Sequence, residues 1–183
     1  MNSDKDMKIA GDKPSRDLKQ NRETGEQAPA SKADLAAAKE LGRTVAFCFM
    51  QDAEKVARLP EDDDSQPVIQ RRLLLSFTAT VGFEQFCPSD TLAGIAQKSF
   101  LDTLKKEDGE LYRSSSDTGA FSFYYLAYRR GSEIDRRIGQ TFAMLCSHDG
   151  DPIYQELGEA LYCWFLSVVR KSAANAGFAQ NAG

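Results

Sequence analysis

The sequence predicts an all-α fold, a single compact bundle of about six helices with a buried C-terminal helix. Three observations carry that prediction. Apolar residues recur three and four apart through most of the chain beyond residue 30. Proline, glycine and short polar residues fall between those runs, where helices start and stop. No alternating apolar and polar stretch reaches convincing strand length. Residues 121–128 contain the strand-prone Ser-Phe-Tyr-Tyr, but their helical spacing and flanking caps favour helix.

The first helix is expected over 31–58. Ser31 and Asp34 resemble a capping box, and Leu35, Ala38, Leu41, Val45 and Cys48 form its stripe. The acidic run 61–64 lacks the alternating ligand spacing of a calcium loop and reads as a solvated loop. Pro67 suits the first turn of a second helix, with Ile69, Leu73, Phe77 and Val81 on one face and Gly82 as a kink. Cys87-Pro88 ends it, because the residue before proline is pushed out of the α region. Ser89 or Asp90 caps the third helix, whose stripe is Leu92, Ile95, Ala96, Phe100 and Leu104, and 107–109 breaks it.

Serines 114–116 offer caps for a fourth helix, with Phe121, Tyr124, Tyr125 and Tyr128 on one face and Gly131 as its C′ residue. Ser132 opens the fifth, whose stripe is Ile134, Ile138, Thr141, Phe142 and Leu145. His148 is expected in its last turn, before Asp149-Gly150. Asp151 and Pro152 start the sixth helix. From Ala160 onward it is apolar nearly all round, which predicts a central, buried helix in which Trp164 is the costliest residue to lose. Short loops at Gly131 and at 149–150 make the last three helices sequential neighbours.

Residues 1–30 hold few large apolar side chains (Met1, Met7, Ile9 and Leu18) and are expected to form a disordered tail. The folded domain is expected over 31–177, with 178–183 frayed. The 183-residue chain carries a formal charge of -4 and a pI near 5.1, which argues against general nucleic-acid binding. Cys48, Cys87, Cys146 and Cys163 form no CxxC pair, a usage that suits reduced thiols and a cytoplasmic location. The N-terminus lacks the apolar core of a secretory signal, and the longest apolar run, 160–169, is too short to span a bilayer.

Each candidate chemical site has a plain structural explanation. Cys146, His148, Asp149 and Asp151 cluster within six residues, but a core thiol, a helix-end histidine, a turn and a cap account for all four. A Cys–His hydrolase is disfavoured because Cys146 and His148, two apart on a helix, point away from each other. No catalytic residue, cofactor site or metal site is assigned. Arg129, Arg130, Arg136 and Arg137 form the densest basic feature, a candidate patch for an acidic partner or an anion, diluted by Glu133 and Asp135. Tyr124, Tyr125 and Tyr128, with His148, are the candidate lining of a pocket. The leading functional expectation is an interaction or adaptor module with a protein partner or a homo-oligomeric state. The alternative is a small-molecule-binding or enzymatic domain with a tyrosine-lined pocket. An exposed apolar patch favours the first, a closed pocket with converging polar groups the second.

Overall fold

Capping chemistry sets most of the helix ends. The computed structural model describes residues 30–57, 66–116 and 118–178, which contain seven α-helices and no strand. The expected tail over 1–29, the acidic run 61–64 and residues 179–183 lie outside the described residues. In α1 (Lys32–Ala57) the capping box forms as expected: Ser31 N–H and Oγ–H donate to the Asp34 carboxylate, and Asp34 N–H donates to Ser31 Oγ. After α2 (Gln66–Phe86), Ser89 rather than Asp90 caps α3 (Asp90–Glu107) by accepting from Leu92 N–H.

Asp108 then works twice. Its N–H closes α3 on Leu104 O, and its carboxylate accepts from Leu111 N–H to open α4 (Gly109–Ser114). This helix is absent from the sequence reading because six residues are too few to show a period.

Gly131, at φ 77°, terminates α5 (Thr118–Arg129) as expected. Two details of α6 (Ile134–Leu145) correct the sequence reading. Ser132 does not cap it; Glu133 occupies that position at φ 50° with no side-chain cap. The helix also stops three residues before His148. Ser147 adopts φ 64°, its N–H reaches Met144 O, and His148 N–H reaches Ala143 O. That pair of bonds is a Schellman closure, so His148 lies beyond the last turn. α7 (Pro152–Asn175) starts on Asp151, whose carboxylate accepts from Ile153 N–H, with Pro152 in the first turn. It ends in a second Schellman closure through Gly177, and Phe178 is buried where fraying is expected.

The largest correction concerns the centre of the bundle. It is α2, not α7, that is enclosed: residues 73–83 are all buried. Helix α1 packs on α3, α6 packs between α5 and α7, and α2 touches α1, α3, α5 and α7. α7 buries one face, through Leu161, Tyr162, Phe165 and Val169, and leaves Ile153, Leu157 and Trp164 exposed. Nearly all-round apolarity does not specify which of two apolar helices goes inside. Gly82 does not interrupt α2 but faces α7, where a Cβ would stand 2.8 Å from Val169 Cγ1.

A central helix carrying Ser76, Thr78 and Thr80 must satisfy those hydroxyls internally. Thr78 and Thr80 donate to the carbonyls of Leu74 and Ser76, one turn back. Phe77 is the aromatic hub, its ring meeting Phe121, Tyr124, Tyr125 and Tyr128 with centroids 5.0–6.3 Å apart. Truncating this fully enclosed ring in Phe77→Ala should cost about 3–5 kcal/mol, whereas Trp164→Ala should cost only about 1 kcal/mol in the folded monomer. Urea midpoints of the two variants measure the order, which reverses the expectation from sequence.

Candidate functional site

The four arginines meet at the α5/α6 junction because Gly131 turns the chain sharply between the two helices. Two of them then stay together, and the other two go separate ways. Arg130 and Arg137 line an open groove of about 390 Å³ between α5 and α6, together with Phe123, Leu126, Ala127, Gln140, Thr141, Met144 and Asp149. Arg137 leans across the junction, its guanidinium donating to Ser132 Oγ at 3.4 Å and to Arg130 O at 3.5 Å. Arg136 instead pairs with Glu133 at 3.4 Å on the exposed surface. Arg129 is exposed at the end of α5 and acts on Glu84: burial and Asp90 raise that carboxyl's pKa, and Arg129 opposes them.

The apolar part of the groove comes from the second face of α5. Phe123, Leu126, Ala127 and Arg130 fall at i, i+3, i+4 and i+7, opposite the tyrosine face. Phe123, Leu126 and, from α6, Met144 are all exposed, Leu126 to 60 %. Among the described residues, no ion pair joins Arg130 or Arg137 to a carboxylate. The sequence does carry the spacing of Phe123, Leu126 and Arg130, but the more aromatic face of the same helix masks it.

The tyrosines are brought together, but around Phe77. Tyr124 stacks on that ring at 5.4 Å, buried, with no hydrogen-bond partner for its hydroxyl among the described residues. Burial, and secondarily Cys146, push its phenol above the ordinary range. Tyr125 meets Phe77 edge-on, and Tyr128 Oη accepts from Gln85 Nε2 at 2.9 Å. His148 stands outside this cluster, its ring stacked on Tyr154 with centroids 3.8 Å apart.

Cys146 is buried, and burial raises the Cys48, Cys87 and Cys163 thiols, so these three stay protonated and weakly nucleophilic at neutral pH. Among the described residues, no group of three or more His, Cys, Asp or Glu side chains is placed to hold a metal ion. Asp151, a member of the cluster weighed from sequence, has its carboxylate engaged as a helix cap.

One polar feature went unnoticed in the sequence. Arg71 on α2 forms a bidentate pair with Asp52 on α1, Nε to Oδ2 at 2.8 Å and Nη2 to Oδ1 at 2.7 Å, largely shielded from solvent. The partners are nineteen residues apart on different helices, beyond any local spacing rule. Asp52→Ala strands the guanidinium and should destabilise by about 2–4 kcal/mol, read as a shift in the urea midpoint. Arg71 and Asp52 exchanged together should recover part of that loss.

Stability should also fall at alkaline pH. The unfolded Cys87 thiol ionises near 9, while burial raises the folded one to about 11. The folded state therefore holds its proton longer, and the stabilisation present below pH 9 is lost as pH climbs toward 11. Tyr124 acts in the same direction at higher pH. Urea midpoints across that window should decline, and Cys87→Ala should flatten the first part of the decline.

No protein-family model, curated protein or solved structure matches this chain.

Proposed function

We propose that the domain is a protein-interaction module whose α5/α6 groove receives an acidic, apolar-faced segment of a partner protein. A single observation carries the reading: Phe123, Leu126 and Met144 are exposed together, beside two arginines that form no ion pair with a carboxylate among the described residues. Scattered exposed apolar side chains are ordinary on any protein. Three that converge on one groove form a surface suited to burial against something else. The two guanidiniums supply planar, permanently charged donors that match carboxylates. Asp149 at the rim adds one repulsive position, which favours ligands whose acidic residues keep to the arginine end. The exposed ridge of α5 suits a helix laid beside it, anchored at i, i+3 or i+4 and i+7.

The four cysteines, one of them exposed and none in a CxxC pair, suit a reducing compartment, so the proposed location is cytoplasmic. No described helix is long and apolar enough to cross a membrane. A tyrosine-lined ligand pocket has less support, because Tyr124, Tyr125 and Tyr128 already pack their rings against Phe77.

Selection of random helical peptides by display on the full chain tests the proposal. Enriched peptides should combine apolar anchors at three- and four-residue spacing with two or more carboxylates. Arg130→Glu combined with Arg137→Glu should weaken them at least about tenfold, a loss of roughly 1.4 kcal/mol or more, and Leu126→Asp should do the same. Equal binding to the variants, or enrichment of basic peptides, would overturn the proposal.

A further inference from the structure

α7 carries a second unpartnered face, distinct from the α5/α6 groove. Its inner face is committed to the core through Leu161, Phe165 and Val169. Outside that face lie Ile153, Leu157, Ala160 and Trp164, all exposed. They follow one another at steps of four, three and four residues, the spacing of a coiled-coil seam, and Lys171 extends the same line by one further repeat. Ile153 is 75 % exposed and Trp164 44 %, an unusual way to place the one tryptophan of a chain.

The flank of this seam says what fits it. Glu156, Cys163 and Arg170 stand seven residues apart, each one position before a seam residue, and all three are exposed. Charge therefore reverses along the flank, acidic toward the start of α7 and basic toward its end. Neither Glu156 nor Arg170 forms an ion pair among the described residues. In a parallel pair opposite flanks face one another, so Glu156 and Arg170 would face residues 154, 161 and 168 of the other helix and meet no charge. In an antiparallel pair, where like flanks face one another, Glu156 meets Arg170 of the other helix at both ends. The same register brings the two Cys163 side chains to the axis and lays the Lys171 stem over Ile153.

We propose that a second copy of this chain covers this face, the two α7 helices running antiparallel about a two-fold axis beside Cys163 and Trp164. The interface is isologous, so one patch supplies both sides and closure at two copies is built in. Trp164 is the central anchor on each side, a residue type that concentrates binding energy when desolvated. The inference is independent of the α5/α6 groove, which stays available on each copy.

Sedimentation velocity of the untagged full chain under reducing conditions reads the association directly. The expected result is a species of twice the 20.2 kDa chain mass, reduced to monomer by Trp164→Glu with the helical circular-dichroism signal kept. Ile153→Asp, at a position outside the core, gives the same answer if the tryptophan variant misfolds. Glu156→Arg and Arg170→Glu should each weaken the dimer at least about tenfold, and the two together should restore it, since the reversed charges pair again. A short bis-maleimide should link the wild-type dimer but not Cys163→Ser. A monomer at several hundred micromolar, a dimer indifferent to Trp164→Glu and Ile153→Asp, or a double charge reversal that stays as weak as the single ones would each overturn the proposal.

Discussion

Residues 73–83 of α2 are buried without a break, so this helix has no side on which water can satisfy or shield it. Everything around it follows from enclosing it. Its own hydroxyls must turn back onto its carbonyls, as Thr78 and Thr80 do. Its glycine must lie where a neighbour comes closest, and Gly82 meets Val169. Its Phe77 ring needs aromatic cover, and takes it from four side chains of α5. The Asp52–Arg71 pair ties the N-terminal half of α2 to α1, where burial of one ion without the other would be costly.

Enclosure also explains where unpartnered surface remains. α5 and α7 each present one apolar face to the core and a second to solvent. In α5, the tyrosine face packs on Phe77, and Phe123 and Leu126 are left outward. In α7, the face holding Phe165 and Val169 packs on α2 and α1, and Ile153, Leu157 and Trp164 are left outward. These two outward faces are the surfaces on which the proposals above rest. Both outward faces are edged by charge, arginines on the first and an acid-to-base gradient on the second. Edging of this kind selects a partner and its direction more than it adds affinity.

The phenol of Tyr124 is buried in aromatic surroundings, His148 is stacked on Tyr154, and burial raises the Cys48, Cys87 and Cys163 thiols. These groups contribute volume and ring contacts to the fold.

Helix identity was legible from sequence because caps and breakers are local. Ser31 with Asp34, Ser89, Gly131 and Asp151 with Pro152 each act within four residues of themselves, and the structure uses every one. The candidate site was half legible: Arg130 and Arg137 were visible as a cluster, but their separation from Arg129 and Arg136 depends on helix phase about the α5/α6 junction. Even closures that look local escaped where the residue type gave no warning, as with Ser147 at φ 64°. What only the tertiary structure decided was which of two apolar helices is enclosed, and hence which apolar residues remain outside. Composition ranks α7 as the more apolar candidate toward its middle. Burial is instead settled by what surrounds each helix: α2 has neighbours on every side, and α7 has them on one.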